Sequence, residues 1–158
     1  MNSALSGLLL LSLCAASSAI AADQLGVVGS VQTGALMVGV QYQQDNGVRV
    51  GLGYGRLLPV FEDSAAAADV SYLMPLPPQL QGYVQPYYGF GLGMALALPA
   101  RGVRVGLYPN VLAGVNFANA TAFTPFVEAS AGPGIAFGSV SGLQLSFGLR
   151  AGINYRLP

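Results

Sequence analysis

The stretch Leu143–Leu157, with the sequence LQLSFGLRAGINYRL, decides the fold. Apolar residues occupy every odd position, while the even positions carry only polar residues, glycine and arginine. Side chains of a β-strand point alternately to its two faces, so an unbroken period of two predicts a strand with two different environments. The odd face consists of Leu143, Leu145, Phe147, Leu149, Ala151, Ile153, Tyr155 and Leu157.

The same alternation recurs along the chain. Asp45-Asn46-Gly47 is a strong signal for a tight hairpin, and segments rich in Pro, Gly, Ser or Ala separate the other runs. The pattern therefore predicts seven good strands and a weaker one near 24–31. The seven alternating runs cover 36–42, 48–54, 70–74, 84–98, 103–117, 123–137 and 143–157.

Three prolines interrupt these runs at positions 109, 125 and 133. Each removes a backbone donor from its ladder. We therefore expect bulges at these prolines, or a division of one long strand at Pro109-Asn110.

The composition excludes several classes of protein. Charged residues make up 8% of the 158 residues, apolar types make up 53%, and the formal net charge is zero. A disordered chain would be polar and charged, a disulfide scaffold would be rich in cysteine, and a nucleic-acid-binding domain would show a basic excess. The chain has one cysteine, no histidine and no lysine, and all six of its basic residues are arginine.

Which face of the sheet points outward determines whether the protein is surrounded by water or by lipid. The polar face carries too few charges to serve as the exterior of a soluble domain of this size. The apolar face suits lipid, and a sheet in a bilayer must close because unpaired edges cannot be hydrated there. We therefore predict an all-β fold, a closed antiparallel up-and-down transmembrane β-barrel with the apolar face outward. Strands of about ten residues favour eight strands and leave ten possible.

The N-terminus has the features of an export signal. An apolar stretch over Leu5–Ala16 is too short to span a bilayer as a helix, and Ala19 and Ala21 provide a small-x-small cleavage pattern. We expect residues 1–21 to be a cleaved signal peptide, with cleavage after Ala22 as the alternative, and residues 22–158 to form the barrel domain. Cleavage after Ala21 removes Cys14, the single cysteine.

Outward-facing aromatic residues cluster near turns or ends that would share one rim, and they resemble an interfacial girdle. We expect this rim to be periplasmic and the outer loops to lie near 32–34, 57–65, 98–102 and 138–142. The predicted girdle consists of Tyr42, Tyr72, Phe117, Phe123 and Tyr155.

Together, the signal peptide, the alternating strands, the tight turns and the final Gly152-Ile153-Asn154-Tyr155-Arg156-Leu157 resemble the small bacterial outer-membrane β-barrels of the eight-stranded OmpA/OmpX type. The resemblance covers about residues 24–157 and rests on the pattern as a whole. It implies insertion into outer-membrane lipid with help from the barrel-assembly machinery. Family members usually end in Phe, whereas this chain has Leu157 followed by Pro158.

Charged side chains on the inner face predict a structural network in the lumen. Glu128 and Arg150 lie on consecutive strands, so any register that keeps both inward brings them opposite or diagonal to each other. An unpaired charge would be costly in a dry lumen. The predicted polar network comprises Arg49, Asp69, Arg104, Glu128 and Arg150.

The lumen also has many inward glycines, in runs such as 51–55 and 89–93. These glycines alternate within strands and do not connect a strand to a helix, so a nucleotide-binding loop is not indicated. Four aromatic residues are expected to lie over the glycines and fill the space. They are Tyr83, Tyr87, Tyr108 and Phe126.

The residue types indicate no enzyme, no cofactor and no metal site. Glu128 and Ser130 share the inner face, but the chain has no histidine to act as base for a serine nucleophile. The hydrolases known in the family that the chain resembles use a histidine. The pair Glu62-Asp63 could contact a divalent cation, but an exposed acidic pair usually has no specific role.

Three functional readings stay open. The leading one is a non-enzymatic outer-membrane protein with a structural or surface-interaction role. The second is a narrow pore for ions or small solutes, because the glycine-rich lumen could leave a wet channel. The third is a secreted soluble barrel that binds a lipid, which would need the opposite assignment of faces.

Overall fold

The computed structural model describes residues 24–58, 63–76, 83–98, 102–117, 122–138 and 141–158. Eight antiparallel strands pair in chain order, and β1 pairs with β8, so the sheet closes into a barrel. The barrel is the predicted fold, and the alternative of ten strands is wrong. The strands are β1 Gln24–Gln32, β2 Ala35–Gln43, β3 Val48–Leu57, β4 Ser64–Pro75, β5 Val84–Leu98, β6 Arg104–Phe117, β7 Phe123–Gly138 and β8 Gly142–Arg156.

The strands differ in length around the barrel. β1 to β4 have 9 to 12 residues, whereas β5 to β8 have 14 to 16. The second half of the chain thus forms strands longer than the ten residues expected from the sequence. The expected signal peptide, residues 1–21, lies outside the described residues.

The barrel has two rims, which we name by what they carry. The start of β1 and the end of β8 lie at the terminal rim, together with the connections at 44–47, 76–83 and 118–122. The far rim carries the connections at 33–34, 58–63, 99–103 and 139–141, close to the predicted outer loops. Parts of the connections at both rims lie outside the described residues, namely residues 59–62, 77–82, 99–101, 118–121 and 139–140.

The hairpin at Asp45-Asn46-Gly47 forms as the sequence predicts. The Gly47 amide donates to the Gln44 carbonyl at 3.0 Å, and the Gln44 amide donates to the Val48 carbonyl at 2.8 Å. Gly47 has φ of 87°, a left-handed conformation that residues with a Cβ adopt at a cost. This turn sets the register between β2 and β3.

The prolines do not create bulges. The β6–β7 ladder has no pairs between Leu107–Ile135 and Val111–Ala131, and Pro109 and Pro133 lie opposite each other in this gap. Both strands lack an N–H donor there, so the ladder is interrupted. The register is the same on both sides, so no extra residue is inserted, and β6 continues from Arg104 to Phe117. The expected bulge or break at Pro109 is therefore wrong, and Pro125 pairs regularly with Ile153.

Side chains alternate between lumen and exterior as the period of two predicts. On β8, Leu149 is 62% exposed and its neighbour Gly148 is buried. The residues of the predicted girdle all face outward near the terminal rim, and the rings of Phe123 and Tyr155 lie 5.2 Å apart. In the described strands the one charged residue on the outward face is Arg56, which lies next to the far-rim end of β3 and which sequence reasoning did not single out.

Candidate functional site

The centre of the lumen holds an ion pair between opposite walls. Arg49 on β3 donates from Nη1 and Nη2 to the two carboxylate oxygens of Glu128 on β7, at 2.7 and 2.9 Å. Both side chains are 1% exposed. A two-point contact matches the planar guanidinium to the planar carboxylate and fixes the orientation of both groups.

Neighbouring polar groups complete the coordination of this pair. The Arg49 Nε donates to the Ser71 hydroxyl at 3.1 Å, and the Tyr87 hydroxyl donates to Glu128 Oε2 at 3.0 Å. Ser71 and Tyr87 are themselves buried. A buried ion pair is tolerated when its remaining hydrogen-bonding capacity is satisfied, which is the arrangement here.

A second ion pair lies beside the first. Arg150 Nη1 donates to Asp69 Oδ2 at 3.1 Å and lies 3.9 Å from Glu128 Oε1. Its Nη2 donates to the Gln41 side-chain oxygen at 3.1 Å, and Gln41 in turn donates to Asn154 at 2.8 Å. Glu128 and Arg150 are direct ladder partners. We call Arg49, Asp69, Glu128 and Arg150 the ion-pair cluster.

The structure brings together four of the five charges that the sequence analysis selected. It does not bring Arg104 to the cluster. Arg104 is the first residue of β6, exposed at the far rim, and it lies ten residues along the strand from Gly114, the ladder partner of Glu128. At about 3.4 Å per residue the separation is roughly 34 Å. The alternation of residues predicts the face on which a side chain lies but not its position along the barrel axis.

Gln41, Ser71, Tyr87 and Asn154 belong to the site but were not selected as members of the network. The sequence does predict that these side chains face inward, because each alternates with the apolar residues of its strand. Their contacts depend on the stagger between strands, which the sequence pattern does not specify.

Aromatic and apolar side chains pack between the ion-pair cluster and the terminal rim. The Phe126 ring lies over Gly152, and a Cβ at that glycine would come 2.7 Å from the ring. The Tyr87 ring lies over Gly114 in the same way, and it packs with Leu73 and Leu112. Tyr108 lies over Gly93 on the far-rim side of the cluster. The prediction is wrong for Tyr83, which is 77% exposed just before β5.

The far-rim half of the lumen is different, because most of its inward residues are alanine, glycine or serine. A cavity of about 220 Å³ extends from Arg49, Asp69 and Arg150 to residues at the ends of the strands, such as Thr33 and Gln144. We call this cavity the lumen cup, and the ion-pair cluster forms its floor. The lumen is thus filled in one half and hollow in the other.

No group of three or more His, Cys, Asp or Glu side chains suited to a metal ion occurs within the described ranges. Glu62 of the acidic pair lies outside those ranges. Over the same part of the chain, no helix is long and apolar enough to cross a membrane.

Two solved structures of other proteins have the same fold as this chain. The crystal structure of Neisserial surface protein A (NspA) is 17% identical, covers 85% of this chain and 96% of its own, and superposes with a TM-score of 0.57. The N-terminal β-barrel domain of Pseudomonas aeruginosa OprF is 18% identical, covers 84% and 96%, and gives a TM-score of 0.51. Both are eight-stranded outer-membrane barrels, so the chain has the fold that its sequence pattern resembles.

No family model matches the chain. No curated protein sequence matches it either.

Proposed function

We propose that this protein is a non-enzymatic integral outer-membrane protein with a structural or surface-interaction role. The observation that carries the proposal is the polarity of its two surfaces. The outward face of the described strands is predominantly apolar and carries one charge, Arg56 near the far rim. Val27, Val38, Leu149 and Ile153 on this face are each more than half exposed. Buried charge lies on the opposite face, in the lumen. A protein dissolved in water would have the reverse arrangement.

The closure of the sheet also supports a location in a lipid bilayer. β1 pairs with β8 over nine positions from Gln24–Arg156 to Gln32–Gly148, so backbone groups there are paired within the protein. Paired backbone groups are the condition for crossing a hydrocarbon layer. The reading as a soluble lipid-binding barrel is disfavoured, because it would place an apolar exterior in water.

The barrel is proposed not to conduct. The ion-pair cluster and the packed side chains below it, including Phe126 and Leu73, occupy the lumen between the cup and the terminal rim. Eight-stranded barrels have an interior just wide enough for side chains to fill. The alternative of a narrow pore is tested by conductance across a planar bilayer. Steady channels that persist at neutral pH would favour the pore.

The absence of an enzymatic role rests on residue chemistry. The chain has no histidine, and each charged side chain of the ion-pair cluster contacts a side chain of opposite charge. Glu128 is held at both oxygens by Arg49 and is 1% exposed, so it is inaccessible to a substrate.

Fractionation of cells that express the full chain tests the location. We expect the protein in the outer-membrane fraction, shortened by cleavage after Ala21, and we expect its mobility in SDS gels to change on boiling. A heat-dependent shift is typical of closed membrane barrels. Recovery in the soluble periplasmic or secreted fraction, with no shift on boiling, would overturn the proposal.

A further inference from the structure

The lumen cup has two chemically different walls. Strands β2 to β5 contribute small apolar side chains, and β6 to β8 contribute hydroxyl and amide groups. The apolar wall includes Ala35, Met37, Ala65, Ala67, Ala95 and Ala97. The polar wall includes Tyr108, Ser130, Gln144 and Ser146.

The floor of the cup presents a carboxylate that is only partly used. Asp69 is 28% exposed, against 15% for Arg150 and 1% for Arg49 and Glu128. Among the described residues Asp69 Oδ2 receives one hydrogen bond, from Arg150, and Oδ1 receives none. A carboxylate can accept about four hydrogen bonds. The floor therefore offers a negative group to an incoming donor, although the cluster as a whole is neutral.

From this arrangement we propose that the lumen cup is a binding site for a small organic ammonium ion with a short alkyl chain. The ammonium group of the ligand donates to Asp69 at the floor of the cup, and the alkyl chain of the ligand lies along the apolar wall. The cavity of about 220 Å³ holds the equivalent of roughly seven waters at ~30 Å³ each, which is close to the seven heavy atoms of hexylammonium. Water molecules against the apolar wall have few hydrogen-bonding partners, so their displacement by an alkyl chain is favourable.

The cup provides a matched pair of variants. Ala67 faces the lumen between Gly53 and Ala95, so Ala67→Phe fills the cup. Ala66 is the next residue on β4 and faces outward between Tyr54 and Leu96, so Ala66→Phe adds the same ring on the lipid side. Asp69→Asn removes the charge and keeps an oxygen acceptor for Arg150.

The experiment is a titration of the barrel in lipid nanodiscs with hexylammonium, followed by NMR at the backbone amides of Ala95 and Ala97, which line the cup and are unchanged in every variant. Hexanol and hexanoate are the neutral and anionic probes of similar size. The heat-dependent gel shift verifies that each variant is folded.

We expect saturable shifts with hexylammonium in the wild type and in Ala66→Phe, and none in Ala67→Phe. Binding should be at least tenfold weaker in Asp69→Asn, and hexanol should bind at least tenfold more weakly than hexylammonium, because a charge-assisted hydrogen bond is lost in each case. Shifts that persist in Ala67→Phe would overturn the site. Equal binding of hexanol or hexanoate would overturn the assigned ligand class, even if Asp69→Asn does not fold.

Discussion

Arg49 and Glu128 form a two-point ion pair across the lumen, although they lie on β3 and β7, half of the barrel apart. Local sequence does not bring them together, because 79 residues separate them along the chain. The pair therefore connects opposite walls and forms only when the barrel closes. This makes it a specific reporter of the closed state.

Removing one partner of this pair should be strongly destabilising. Glu128→Leu leaves the Arg49 guanidinium buried without its counter-ion, and we expect a loss of about 3–5 kcal/mol in the free energy of unfolding. Urea unfolding in phospholipid vesicles measures it. The double variant Arg49→Met/Glu128→Leu should recover most of the loss, because it removes both charges. If the loss in the double variant equals the sum of the losses in Glu128→Leu and Arg49→Met, the two side chains are not energetically coupled and this account is contradicted.

The Arg150 side chain should contribute less than Arg49, because it is partly exposed. Arg150→Ala removes its hydrogen bonds to Asp69 and Gln41, and we expect a loss of about 1–2 kcal/mol and a lower urea midpoint. Arg156→Ala is the control, since Arg156 is exposed at the terminal rim. An unchanged midpoint for Arg150→Ala would show that the second ion pair has no structural role.

Charge on the outward face should be penalised according to depth. Leu149 lies midway along β8 and Leu143 lies near its far-rim end, and both face outward. For Leu149→Arg we expect a loss of about 2–4 kcal/mol in vesicles, and for Leu143→Arg about 0–1 kcal/mol. Equal unfolding free energies for the two variants would be inconsistent with a bilayer around this strand.

Close packing of Phe126 over Gly152 predicts that a single methyl group is not tolerated. In Gly152→Ala the new Cβ meets the Phe126 ring and the Val27 carbonyl, and we expect a loss of about 1–3 kcal/mol. Gly29→Ala is the matched control on β1, because its Cβ would have 3.9 Å to the nearest atom. Urea midpoints of the two variants should differ clearly. A neutral Gly152→Ala would mean that this half of the lumen is not tightly filled.

Alternation was sufficient to predict the barrel and the face of each strand residue, because a strand in a closed sheet has only two sides. Chain length favoured eight strands but left ten possible. It also predicted that Glu128 and Arg150 meet, since they lie on consecutive strands. It did not predict that Arg49 contacts Glu128, because contacts across the lumen depend on strand stagger and barrel width. Arg104 and Tyr83 were misplaced for a similar reason. An odd or even position in a strand predicts the face of a side chain but not its position along the barrel axis.

The prolines show a second limit of sequence reasoning. Pro109 and Pro133 were expected to distort their strands, since each lacks a donor. In the structure they oppose each other in adjacent strands, so the two missing donors fall in one gap of the ladder and the register is kept. Only the pairing of β6 with β7 reveals that arrangement. The lumen cup likewise follows from the height at which alanines and glycines accumulate, which single strands do not indicate.

The central claim is that the apolar face meets lipid and the polar face lines the lumen. Single cysteines at Ala129 and Ser130, neighbours on β7 that face outward and inward respectively, test it directly when labelled with a small fluorophore in vesicles that contain nitroxide lipids. Cleavage after Ala21 would remove the native Cys14, and the test uses a chain that begins after that position. We predict strong quenching at position 129 and weak quenching at position 130. Equal quenching at both positions, or stronger quenching at position 130, would contradict the account.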